Sequence, residues 1–423
     1  MFAAFRSARR KSSNFALAIA LAGGAAFSTA AFAPSAYAQD QDYSPAFVAA
    51  YQPVAAMTQG ETPDHAGARA QIETVLAAAT TADDRMAAGN LALMIGQNTN
   101  DDVLRRRGIE IMIASGKVPA DQLGQFHYYV ANFAFNAGDY PAVRSAVTAA
   151  LANGYVDNDD NSSNDPEYLY MQSYSSEENA PAAVAYVVNL AAERMAAGQS
   201  IPERWLLRGL QDSYDGNLGS EATSVSEMLL RAYPTQQNWI NSMQVIAALN
   251  ELDAPARIDL SRLALANNAM TTRREFVSYI EDLDPRIMGS EVVRVLQAGL
   301  AAGQFDAGDA YYIEVRDIAT PRAATDRRQI ATYIREGETG DALDALATGD
   351  VLYSLEDYVQ AERFFQLALE RGMNANTAHT RIGIAQAMQG KYTEAKEHFA
   401  QVTGPRTAIA KLWSVYVDQM MAM

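Results

Sequence analysis

The residues best placed to do chemistry lie in "DNDDNSSNDP", residues 157–166. Asp157, Asp159 and Asn161 alternate like the first oxygen ligands of a calcium loop, and calcium favours such clusters. Ser162 stands where that loop needs glycine, and Tyr168 where it needs a bidentate carboxylate. The stretch therefore reads as a solvated connection between helices, with those three residues a candidate for weak calcium binding only.

Other catalytic signatures are missing from the sequence. The four histidines, His65, His127, His379 and His398, form no H-E-x-x-H pair and read as structural. There is no G-x-S-x-G elbow, no phosphate-cradling G-x-x-x-x-G-K and no G-x-G-x-x-G. Aspartate and glutamate are abundant, but no pair is marked above the rest. The absence of cysteine excludes disulfides, thiolate metal ligands, thiol catalysis and a lipid-modified cysteine anchor. These features predict a protein that is not an enzyme and takes no cofactor.

Charge narrows the partners. Thirty-three Lys and Arg against fifty Asp and Glu give a formal charge of −17. Nucleic acid is excluded, because phosphate binding needs clustered cations. The one dense basic run, Arg105-Arg106-Arg107, follows Asp101 and Asp102 and reads as a solvated helix face.

Residues 1–38 have the order of a secretory signal: basic Arg6, Arg9, Arg10 and Lys11, an apolar run from Phe15 to Phe27, then Ala36-Tyr37-Ala38. Cleavage is predicted after Ala38. The apolar run is shorter than the ~20 residues of a spanning helix. The mature chain is expected to be periplasmic, without membrane insertion, secretion beyond the envelope being the variant of that address.

The elements that position side chains are helices. In Ala361, Phe364, Phe365, Ala368 and Leu369, apolar residues recur on one helical face, and Gly372 sits where a C-terminal cap belongs. Thirty-four residues later the pattern returns: Tyr358 maps onto Tyr392, Ala361 onto Ala395, Phe365 onto Phe399, and Gly349 onto Gly383. That unit of helix, tight turn and helix resembles the tetratricopeptide repeat. The departures are Ala345 and His379 at the fourth-position tryptophan, and no closing proline at 373 or 407. Fainter echoes run upstream, including Trp205 and Trp239, which stand 34 apart.

The resemblance implies an all-α fold, a right-handed α-solenoid of antiparallel helix pairs. The expected organisation is a signal at 1–38 and a flexible leader at 39–61, then a degenerate array at 62–305. A divergent hairpin or hinge follows at 306–341, two repeats at 342–409 and a capping helix at 410–423, because a solenoid needs its last open face covered.

In that family the first helix of each repeat lines a concave groove. The resemblance implies Gln125, Tyr128, Asn132, Phe135 and Asn136 as groove residues of one repeat, and Leu343, Leu346, Asp350, Tyr353 and Ser354 of another. Asparagine beside tyrosine or phenylalanine suits an extended peptide. The function expected is a non-catalytic scaffold that binds a partner protein or peptide. The alternatives are an accessory subunit of an outer-membrane transport, secretion or envelope-assembly complex, and a glycan-acting envelope enzyme, for which almost no separate catalytic segment is left.

Overall fold

The computed structural model describes residues 41–156 and 164–422. The signal segment with its cleavage point at Ala38, and the calcium candidates Asp157, Asp159 and Asn161, lie outside the described residues. Among the described residues there is no strand, and the chain divides into two compact units at Pro119/Ala120.

The first unit packs four helices in succession: α1 (Pro45–Met57), α2 (His65–Ala78), α3 (Ala82–Thr99) and α4 (Asp102–Ser115). Residues 39–61 were expected to form a flexible leader. Instead α1 folds there, because Phe47 and Val54 bury themselves beside Ala68, Ile72 and Ile95. Asp84 ties the start of α1 to the start of α3. Its carboxylate accepts from Ser44 N (3.0 Å), Ser44 Oγ (2.8 Å), Thr80 N (3.1 Å) and Thr81 N (3.0 Å). The basic run is paired throughout, Arg105 with Asp102, Arg106 with Glu110 and Arg107 with Glu73.

The second unit is an all-α solenoid in which every helix packs on the next along the chain. In order these are α5 (Ala120–Asn136), α6 (Tyr140–Ala152), α7 (Pro166–Ser176), α8 (Ala180–Ala196), α9 (Glu203–Asp215) and α10 (Gly219–Ala232). Then come α11 (Gln236–Leu249), α12 (Ala254–Ala266), α13 (Arg273–Leu283), α14 (Gly289–Ala301) and α15 (Ala310–Thr339). The last are α16 (Ala342–Ser354), α17 (Tyr358–Glu370), α18 (Ala375–Met388), α19 (Tyr392–Phe399) and α20 (Thr407–Ala422). Part of the acidity is spent on helix starts. Asp139, Asp165, Asp253, Asp309, Asp341 and Asp357 each accept a first-turn backbone N–H, which satisfies an orphan donor and sets negative charge against the positive helix end.

The 34-residue step reappears as a repeated contact. A Cβ added to Gly349 would lie 2.5 Å from the Phe365 ring, and one added to Gly383 would lie 2.5 Å from the Phe399 ring. Only glycine lets each first helix sit this close to the aromatic of the second.

Residues 306–341 do not form the expected hairpin. Residues 310–339 make one helix that continues through Pro321. Its first half buries Tyr312, Val315 and Ala319 in the core of α13 and α14, and its second half lays Ile330 and Ile334 on the core of the C-terminal pairs. Two burial surfaces along its length hold it together as one helix where proline alone would favour a break.

The helix at the C-terminus does more than cover an end. α20 packs on α18 and α19 and also on α10 and α12, so the solenoid of this unit folds back on itself. Trp413 Nε1 donates to the Asp259 carbonyl at 3.0 Å, Gln419 Nε2 to the Leu230 carbonyl at 2.9 Å, and Lys411 pairs with Glu227 at 2.9 Å. A single apolar core accordingly joins α7–α12 to α16–α20.

Candidate functional site

The two sets of groove residues are placed differently from the expectation. On α5, Tyr128 is buried and stacks on Tyr155 with ring centroids 4.5 Å apart. Asn132 turns back to donate to the Tyr128 carbonyl at 3.0 Å, and Phe135 packs edge-on against Tyr140 at 5.7 Å. Only Gln125 and Asn136 of that set are exposed. On α16, Asp350, Tyr353 and Ser354 are engaged by the chain's own α12, α14 and α18. Ser354 Oγ accepts from Glu291 N at 2.8 Å, and Arg262 lies over the Tyr353 ring at 4.0 Å. Tyr353 and Ser354 are thus interior residues, covered by side chains and backbone of α12 and α14.

What the fold-back creates is a buried charge cluster. Arg262 on α12 forks onto Glu291 of α14, with Nε to Oε1 and Nη2 to Oε2 both 2.9 Å. Tyr279 OH donates to the same Glu291 Oε1 at 2.6 Å. Asp259, fully buried, accepts from Arg262 Nη1 at 3.3 Å and from Arg406 Nη1, with Arg381 Nε 3.5 Å away. Arg381 donates to Asp350, whose other oxygen is 3.6 Å from Arg262.

Three guanidiniums are therefore balanced by three carboxylates, as buried charges require. Arg381 Nε, Arg406 Nη2 and Asp350 Oδ1 remain buried without a hydrogen-bond partner. Burial pushes the Glu291 carboxyl up, but the Arg262 charge and hydrogen bonds outweigh it and hold the group below its usual value. For Asp350, burial wins over Arg381 and Arg262, and its carboxyl is raised.

Over this cluster opens a cleft of about 740 Å³. Leu252, Pro255, Ile258, Met288, Leu346 and Met373 supply apolar wall, while Arg262, Arg381, Arg406 and Asp350 reach it from the cluster. Ile287 and Leu343, which also line it, are 59% and 64% exposed. Large aliphatic side chains in that state cost free energy unless something covers them. Glu251, Asp253, Asp282 and Asp284 add carboxylates to the lining. With the buried Asp259 and Glu291 and the rim partners Arg257 and Arg286 counted in, seven carboxylates stand against five guanidiniums and leave the cleft negative, and the three guanidiniums of the cluster are already matched by acids.

Sequence reasoning named Leu343, Leu346 and Asp350 in this cleft, and missed Asp259, Arg262, Ile287, Arg381 and Arg406. "ARIDLSRLALA" around Asp259 and Arg262 carries the charge spacing of an ordinary solvated helix face. No local signal distinguishes it, since the partners come from α14, α16, α18 and the turn just before α20.

The remaining titratable pair is His379 on α18 with His398 on α19. Their Nδ1 atoms are 2.9 Å apart, a hydrogen bond between imidazoles. Burial lowers both, and in His398 the charge of His379 adds to it. Among the described residues no group of three or more histidines and carboxylates is arranged to hold a metal ion. No helix among them is long and apolar enough to cross a membrane. Compared with the known protein families and with curated proteins, the chain finds no match in either.

Proposed function

We propose that this chain is a non-catalytic protein-interaction scaffold, exported to the periplasm, built of tetratricopeptide-like helix pairs and holding a segment of a partner protein in the cleft beside α12 and α16. The observation that carries this is the exposure of Ile287 and Leu343 inside a cleft of about 740 Å³ with apolar walls. Cavities of this size with aliphatic walls and a few polar groups are the usual form of binding sites. The internally neutralised charge cluster beneath gives the cleft a stiff floor, which lowers the entropy cost of binding.

The test is photo-crosslinking in cells from position 287 and from position 343, with the exposed Val359 on α17 as the control. One protein captured from both cleft positions and not from 359, which in purified form binds Leu343→Ser at least about tenfold more weakly than the wild type, supports the reading. Equal capture from 359, or no dependence on Leu343, sinks it.

A second reading, a glycan-acting enzyme, draws on one observation: Asp350 lines the cleft with its carboxyl raised by burial. Raised carboxylates in clefts serve as general acids. Here Asp350 is held by Arg381 and Arg262, which makes it a structural partner first. Turnover of a glycan that disappears in Asp350→Asn would favour this second reading.

A further inference from the structure

The rim of the cleft bears on what kind of segment fits it. Glu251 and Asp253 are exposed, Asp253 keeping 71% of its side-chain surface while it caps α12. Asp284 faces only Arg286, itself 79% exposed, and Asp282 is paired with Arg257. Beneath them the guanidiniums of Arg262, Arg381 and Arg406 are spent on Asp259, Glu291 and Asp350. An anionic ligand would meet a rim of four carboxylates, of which Asp253 has Arg406 only at 3.8 Å and Asp282 and Asp284 hold the exposed Arg257 and Arg286, above guanidiniums whose charge the buried acids already balance. A cationic one would gain at the rim, where water keeps its charges cheap to pair. Apolar surface lies between.

Resting on the binding reading above, we infer that the segment is a cationic, apolar-anchored peptide: one aliphatic or aromatic side chain set against Ile287 and Leu343, flanked by Lys or Arg that face Glu251, Asp253 and Asp284. The apolar contact supplies affinity, and the charges supply orientation, partner choice and fast association. Ionic strength then acts on the second part and not the first.

The experiment uses the full chain and short synthetic peptides with a central Leu or Phe flanked by Lys, by Gln or by Glu, read by fluorescence anisotropy. The Lys-flanked peptides are expected to bind at least about tenfold more tightly than the Glu-flanked ones at low salt, with the gap closing at high salt. Leu343→Ser and Ile287→Ser, both at exposed positions, weaken every binding peptide. The double variant Glu251→Gln with Asp253→Asn, which keeps a capping side chain on α12, removes most of the Lys preference and leaves the Gln-flanked peptides unchanged. Glu370→Gln, an exposed acid on α17 outside the cleft, controls for attraction to the whole acidic chain. A Lys preference that survives the rim double variant overturns the inference, as does equal binding of Lys- and Glu-flanked peptides. In both cases the binding reading stands if Leu343→Ser still weakens binding. Peptide binding that is indifferent to both Ile287 and Leu343 overturns the binding reading itself.

Discussion

Arg406 and Asp259 stand 147 positions apart, and the guanidinium of the first donates to the fully buried carboxylate of the second. Through this pair the chain just before α20 is held against α12, and Asp259 also engages Arg262 and meets Arg381 at 3.5 Å. One carboxylate thus meets three guanidiniums from three parts of the chain.

Asp259→Ala leaves those guanidiniums buried with too little negative charge. The expected loss is about 3–5 kcal/mol, the range for breaking a buried ion pair from one side. Urea unfolding of the full chain measures it. A double-mutant cycle with Arg406→Ala should show coupling above about 1 kcal/mol, as expected for residues in one network. An unchanged urea midpoint for Arg406→Ala would mean that the fold-back is held by the apolar core alone.

Gly349→Ala and Gly383→Ala each place a methyl 2.5 Å from a buried aromatic ring. Overpacking of this kind costs about 1–3 kcal/mol. Phe365→Leu and Phe399→Leu lose ring contacts of their own, so the informative measurement is the pair. Gly349→Ala should cost less in the Phe365→Leu background than in the wild type, and strict additivity would count against the contact.

The histidine pair gives a pH dependence with a definite sign. Burial first, and then the charge of His379, resist protonation of His398, while Glu362 and Glu397 oppose them only in part. Burial does the same to His379. The unfolded chain takes up these protons near pH ~6.5 and the folded chain only below that, so the pair's contribution is present above that value. It is lost as pH falls through the lowered folded values. Thermal unfolding should show a fall in melting temperature between about pH 7 and pH 5 that His398→Gln makes shallower. An identical slope in that variant would place the dependence elsewhere.

Asp84 offers the acid counterpart in the first unit. Burial raises its carboxyl, but hydrogen bonds from Thr81, Ser44 and Thr80 outweigh this and take it down to about 2. Its contribution is present above the ordinary carboxylate value and lost as pH falls through about 2. Asp84→Ala removes the partner of the Thr81 capping box and the tie to Ser44, at an expected cost of about 1–2 kcal/mol. Hydrogen exchange across α1 is the direct readout, and protection there that equals the wild type would show the tie to be idle.

How far the sequence led depends on the reach of each interaction. The apolar spacing in Ala361, Phe364, Phe365 and Ala368 was legible, and so was the return of Gly349 and Phe365 at Gly383 and Phe399. Helix faces and close helix approaches are made by residues a few positions to one turn of chain apart. The helix over 310–339 was not legible. Pro321 and nearby glycines punctuate locally, and only two separate cores along its length hold one continuous helix through the proline.

The groove expectation rested on position in a repeat and not on surface. Tyr353 and Ser354 fall where a repeat would offer them to a partner, and α12 and α14 cover them. The sequence by itself determined that this is an acidic, helical chain, and showed the return of Gly349 and Phe365 at Gly383 and Phe399. The tertiary structure alone decided that α20 would meet α10 and α12, that Asp259 would gather Arg262, Arg381 and Arg406, and that Ile287 and Leu343 would be left lining a cleft. Periodicity is a local property written in every turn, whereas a contact across 147 residues is chosen by the sum of all the turns between, and no short stretch of sequence carries that sum.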